Sequence, residues 1–177
     1  GVLFIGDSRT VGLSEYGDLG KAEIFANSGM SVFNLFESTV RTKSGKKQDL
    51  EEVLFQQQYH TIYLMLGINE LGYDYSSIIR KYQSVVDTIK TRQPNAVIVT
   101  AQKSSSSSTY TNEKINQINS GIRAIAENSD CCYIDVNSIF DDENGALKTS
   151  YSTDGSHVLG KYYSVWTDWL KGESPDA

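Results

Sequence analysis

The chain has 177 residues, of which 39% are hydrophobic and 21% charged, and a formal net charge of -6. That length suits one domain with a substantial core. The acidic balance argues against a nucleic-acid partner, because phosphate binding needs a basic face. The longest apolar stretch, residues 61–68, is too short to span a bilayer.

The chain opens inside its first apolar run, Val2 to Ile5, which reads as a trimmed N-terminus with no signal peptide. That run ends abruptly in Gly6-Asp7-Ser8 and then Arg9, so a buried strand meets a polar edge. A second run, Glu23 to Ala26, is followed by Asn27-Ser28-Gly29. A third, Thr61 to Leu66, is followed by Gly67-Ile68-Asn69-Glu70. Ile78, Ile79, Tyr82, Val85, Val86 and Ile89 then form a helical stripe that Pro94 closes. The fourth run covers residues 96–101, and the serines 104–108 after it read as a long loop within the domain. Ile115, Ile118, Ile122 and Ile125 mark a second helical stripe.

The fifth run, Cys132 to Val136, follows Cys131, and adjacent cysteines on a strand face opposite sides, which disfavours a bond between them. A last helix is expected after Asp154-Gly155-Ser156-His157, with Tyr162, Val165, Trp166, Trp169 and Leu170 inward. Continuous apolar strands rich in Val, Ile and Tyr suit a sheet covered on both faces. The expected fold is α/β, a three-layer α/β/α sandwich on a flavodoxin-like parallel five-stranded sheet of order 2-1-3-4-5. It forms a single domain over residues 1–172, with a polar tail over 173–177.

In a parallel sheet the C-terminal ends of all strands share one edge, where ligands bind. A serine, a flexible glycine, an amide side chain and an Asp/His pair follow strands or precede the last helix here. Together they make the inventory of acyl transfer: nucleophile, base, orienter and oxyanion donors. Only two histidines are present, His60 and His157. His60 precedes the third strand and belongs at the opposite edge, so an imidazole serving Ser8 must be His157. Asp154, three residues earlier, is close enough to fix its tautomer. Two cysteines and two histidines offer no zinc-ligand spacing, so neither a metal nor a cofactor is expected.

The order of these motifs resembles the SGNH hydrolases, the GDSL family of serine esterases. Gly6-Asp7-Ser8 resembles block I, Asn27-Ser28-Gly29 the block II glycine, Gly67-Ile68-Asn69-Glu70 block III, and Asp154-Gly155-Ser156-His157 block V. The resemblance implies Ser8 as nucleophile, His157 as base and Asp154 as its orienter. It implies an oxyanion hole from the backbone N–H groups of Ser8 and Gly29 and the Asn69 amide. It also implies a bacterial extracellular or cell-envelope setting.

Two positions depart from the family pattern: Arg9 replaces a leucine in block I, and Glu70 replaces an aspartate in block III. An ion pair between Arg9 and Glu70, bridging the Ser8 and Asn69 loops, is the expected compensation. The rivals are an exposed arginine and an anion site for an acidic substrate. Plainer roles stand beside the catalytic ones: Ser8 as a helix cap, Gly29 as a turn residue, Asn69 as a tie between loops, Asp7 as a backbone anchor. Tyr73, Tyr75, Tyr110 and Tyr151 are expected near the active edge, either walling a carbohydrate or simply packing.

The expected function is hydrolysis of carboxylic esters through an acyl-enzyme, releasing a short acyl group such as acetyl from a small-molecule or carbohydrate-like substrate. The alternatives are a lysophospholipase- or thioesterase-type acylhydrolase and a non-catalytic binding domain. A flavodoxin-like phosphoacceptor would also place Asp7 at a strand end, but it leaves the Asp/His motif unexplained.

Overall fold

Thirteen elements follow one another among the described residues. They are β1 (Val2–Gly6), α1 (Ser8–Tyr16), β2 (Glu23–Ala26), β3 (Thr39–Arg41), β4 (Lys47–Asp49), α2 (Leu50–Gln56), β5 (Thr61–Met65), α3 (Tyr75–Arg92), β6 (Val97–Ala101), α4 (Thr109–Asn128), β7 (Cys132–Ile134), α5 (Asn137–Phe140) and α6 (Tyr163–Glu173). The computed structural model describes residues 1–94, 97–101, 109–152, 154 and 157–173. The expected serine loop at 104–108, residues 155–156 of the last motif and residues 174–177 of the tail lie outside the described residues.

The five apolar strands form one sheet of order β2-β1-β5-β6-β7, with every pairing parallel. Counting only these strands, the order is 2-1-3-4-5, as their sequence pattern leads one to expect. Alternation along β1 divides the core in two. Leu3 and Ile5 join Ile62 and Leu64 beneath α2, α3 and α4, where Leu50, Val53, Ile78, Val85, Val86, Ile118 and Ile122 are buried. Phe4 and Met65 join the opposite cluster, with Leu13 of α1, Phe140 of α5, and Tyr163, Trp166 and Leu170 of α6. The sheet therefore carries helices on both faces, which completes three layers. Cys131 packs with the first cluster and Cys132 with the second, so the neighbouring thiols do point apart.

Three features differ from the sequence expectation. A two-stranded antiparallel hairpin, β3–β4, and the short helix α2 stand between β2 and β5. Asp49 starts α2 through a reciprocal cap: it accepts from Glu52 N–H at 2.9 Å while Glu52 accepts from Asp49 N–H at 3.3 Å. Helix α6 begins at Tyr163 and ends one residue into the expected tail. It buries Tyr163, Trp166, Thr167 and Leu170, while Val165 stays exposed. A single 3-10 turn over Gly160–Tyr162 precedes it, and Tyr162 and Trp169 pack against the same cluster.

Register brings the chemistry to one edge. Gly6 pairs with both Ala26 and Met65, so the chain leaves β1, β2 and β5 at one level. Gly6 itself is sterically required. A Cβ there would lie 2.1 Å from Thr10 Oγ1 and 2.8 Å from the Met65 carbonyl oxygen. Gly67, with φ 138°, turns the chain off β5 toward Asn69 through a conformation that other residues seldom adopt.

Candidate active site

Asp7 caps α1. Its carboxylate accepts from Arg9 N–H at 3.1 Å, which leaves Ser8 as the first helical residue rather than the cap. The N–H of Ser8 has no intrahelical acceptor at that position. Its hydroxyl stands at the positive end of the helix dipole, a favourable place for developing negative charge.

His157, 149 positions further along the chain, completes the pairing with Ser8. Ser8 Oγ lies 3.2 Å from His157 Nε2. His157 Nδ1 lies 2.9 Å from Asp154 Oδ2. The other Asp154 oxygen accepts from His157 N–H at 2.7 Å and from Ser152 Oγ at 3.2 Å. One carboxylate thus fixes both the ring and the backbone of the histidine. A carboxylate only accepts hydrogen bonds, so Nδ1 carries the proton of the neutral ring and Nε2 faces Ser8 as an acceptor. Both Asp154 and His157 are about half exposed, at 57% and 46% of their side-chain surface. His60 precedes β5, at the edge opposite Ser8, and its Nδ1 lies 3.0 Å from Thr61 Oγ1.

The loop after β2 is braced to the loop after β5. Asn69 Nδ2 donates to the Ser28 carbonyl at 3.0 Å and to the Met30 carbonyl at 2.8 Å. Gly29 N–H donates to Asn27 Oδ1 at 3.1 Å. Asn34 holds the same loop from within, donating to the Gly29 carbonyl and accepting from Ser31 N–H. Asn69 and Gly29 therefore reach the edge that carries Ser8, with their donors engaged in holding the 27–34 loop.

The expected Arg9–Glu70 ion pair does not form. Arg9 folds back on its own cap residue: Nε donates to Asp7 Oδ1 at 3.0 Å and Nη2 to Asp7 Oδ2 at 2.8 Å. This two-pronged contact satisfies a guanidinium better than a single distant oxygen does. Burial works against the Arg9 charge, and the Asp7 carboxylate offsets that, leaving the guanidinium's pKa raised. Glu70 instead accepts from Val32 N–H at 3.2 Å. Burial, with Asp7 adding to it, pushes the Glu70 carboxyl up to about 7, against the Val32 N–H and Arg9. Arg9 is only 1% exposed, so neither the exposed-arginine reading nor the substrate-anion reading holds. The sequence reading treated Asp7 as a backbone anchor and missed it as the arginine's partner. The i, i+2 spacing across a helix start was the available signal.

The tyrosines divide. Tyr73 stands half-exposed beside Asn69's loop, its ring 4.4 Å from that of Phe33. Tyr75 opens α3 and lies against α4 at Gly121. Tyr151 packs edge-on between Phe140 and Tyr162. The Tyr110 side chain lies outside the described residues. Among the described residues no helix is long and apolar enough to cross a membrane, and no three His, Cys, Asp or Glu side chains stand together to hold a metal.

A family model described as the GDSL-like lipase/acylhydrolase family matches residues 4–163. A search of curated protein sequences gives no match. Among solved structures, a proposed platelet activating factor from Streptococcus pneumonia is 22% identical, over 97% of this chain and 82% of its own, with a TM-score of 0.80. A GDSL-like lipase from Bacteroides thetaiotaomicron is 17% identical, over 97% and 85%, with a TM-score of 0.71. An acetylxylan esterase from Geobacillus stearothermophilus is 18% identical, over 96% and 92%, with a TM-score of 0.69. At these identities the likeness is one of fold.

Proposed function

The chain belongs to the GDSL-like lipase/acylhydrolase family, whose chemistry is the hydrolysis of ester bonds, and from that premise we propose a serine esterase acting through an acyl-enzyme. Ser8 Oγ attacks the ester carbonyl while His157 Nε2 takes its proton, and Asp154 stabilises the imidazolium. The tetrahedral oxyanion forms against the Ser8 N–H at the start of α1. The Asn69 amide and Gly29 N–H complete the donor set when the substrate carbonyl displaces their present acceptors in the 27–34 loop. His157 then returns the proton to the leaving alkoxide, the C–O bond breaks, and water attacks the acyl-Ser8 by the same relay in reverse. The observation that carries this reading is the unbroken Asp154–His157–Ser8 contact at 2.9 and 3.2 Å.

The substrate class we propose is a short acyl ester, acetyl above all, on a carbohydrate-like alcohol. The acetylxylan esterase among the solved structures of this fold supports that choice, as does the exposed Tyr73 ring in the loop after Asn69, which rests on the partly buried Phe33. Nitrophenyl esters of rising chain length test it: kcat/KM should be highest for acetate and fall at least about tenfold by octanoate. A preference for the long chain would instead favour lysophospholipid- or thioester-type substrates.

A further inference from the structure

Behind Ser8 lies a buried group of charges to which the ester chemistry assigns no step. Asp7 and Glu70 are 0% exposed, Arg9 1%, and Tyr82 of α3 0%. Asp7 occupies two of the arginine's donors, and Val32 N–H occupies one oxygen of Glu70. Among the described residues, Arg9 Nη1, Glu70 Oε1 and Tyr82 OH are buried without a hydrogen-bond partner. Cores seldom leave three such atoms together, and each calls for an explanation. All three side chains are electrostatically coupled to one another and to Asp7.

Chain position links this group to the reaction. Glu70 directly follows Asn69, and Arg9 directly follows Ser8. Val32, which Glu70 holds, lies two residues beyond Met30, whose carbonyl the Asn69 amide holds. One carboxyl group is thus joined covalently to one oxyanion donor and by a hydrogen bond to the loop that carries another.

We propose that Glu70 is a positioning residue whose oxygen seats the 27–34 loop through Val32 and whose proton sets the charge behind Ser8, so that turnover falls as Glu70 ionises. With Glu70 neutral, the Asp7 and Arg9 charges cancel. With Glu70 ionised, one uncompensated negative charge remains in a poorly screened interior, close to where the oxyanion must form. The groups facing Glu70 are Asp7 at the β1–α1 junction, Arg9 on α1 and Tyr82 on α3, beside the Val32 N–H. Burial, reinforced by Asp7, brings the carboxyl to about 7, within the range where an esterase is assayed.

The inference rests on Ser8 and His157 acting as proposed above. Its test compares wild type, Glu70→Gln and Glu70→Leu on nitrophenyl acetate between about pH 5 and 9, with thermal melts alongside. Wild-type kcat should decline on the alkaline side with a midpoint near 7. Glutamine keeps an acceptor for Val32 N–H and cannot ionise. Its kcat should lie within roughly threefold of wild type at about pH 6 and show no such decline. Leucine removes the acceptor as well, and should lower kcat by at least roughly tenfold at every pH while leaving KM nearly unchanged.

The melts report on Glu70 without catalysis. The unfolded carboxyl ionises at its ordinary value of 4.5 and the folded one at about 7. Wild type should therefore lose stability relative to the glutamine variant as pH rises through that window, and not beyond it. A glutamine variant that keeps the wild-type alkaline decline, or a melting difference flat across the window, would overturn the role of Glu70. Absence of ester hydrolysis by wild type itself would overturn the esterase reading instead.

Discussion

Arg9 shows how a buried charge selects its partner. A guanidinium with almost no exposure needs opposite charge and well-aimed acceptors, and Asp7, two residues away across the helix start, offers both carboxylate oxygens. Removing the arginine leaves that carboxylate buried and unpaired, so Arg9→Leu should lower unfolding stability by about 3–5 kcal/mol. Asp7→Asn in the same chain keeps a helix cap and removes the stranded charge, so the double variant should recover part of the loss in urea denaturation. Equal losses in the single and double variants would mean that packing, not charge, holds the arginine. The placement of the candidate site was otherwise legible in the sequence: Ser8 stands in contact with His157 and His157 with Asp154, and Asn69 braces the loop after β2. Arg9's partner was marked only by its i, i+2 spacing from Asp7, and two departures from a family pattern suggested each other instead. Nothing in composition shows that a long side chain folds back on its own cap.

At the scale of elements, apolar runs announced every strand of the main sheet, since burial on both faces leaves an unbroken hydrophobic signature. The β3–β4 hairpin left no such mark. Its strands are three residues each and mostly polar, with Val40 the one buried hydrophobe between Thr39 and Arg41. Helix α2 was legible in principle from Asp49 and Glu52 at capping-box spacing and from Leu50, Val53 and Leu54 at i, i+3, i+4, though seven residues make only two turns of that pattern. Helix α6 was legible with most of its inward face: Trp166 and Leu170 are buried and Tyr162 and Trp169 pack against the same cluster, and only Val165 of the expected set is exposed. The packing of α6 against α1 yields a prediction in which two effects compete. Replacing Gly12 by alanine should gain about 1 kcal/mol in helix propensity. Yet the added Cβ would lie 2.4 Å from the Tyr163 ring, and overpacking of that kind costs about 1–3 kcal/mol. Gly12→Ala should therefore be net destabilising in thermal unfolding, whereas a stabilised variant would show that Tyr163 moves freely aside.

For the whole molecule, strand order explains why the chemistry sits where it does. β1 lies between β2 and β5, and the connection after β1 runs through α1 on one face of the sheet while that after the neighbouring β5 runs through α3 on the other. Such a switch point opens a crevice at the strand's C-terminal end, and there the chain places Gly6-Asp7-Ser8. The two cores hold that edge from both faces, which lets loops from β1, β2 and β5 and the segment before α6 meet across long sequence separations. We propose that this architecture presents Ser8 as the nucleophile and that His157 activates it. A fluorophosphonate probe tests this most directly, with the labelled residue located by peptide mass spectrometry. A single adduct is expected on Ser8, formed at least roughly 10³-fold more slowly in His157→Ala. An adduct on any other residue, or labelling of Ser8 at the wild-type rate without His157, would contradict it.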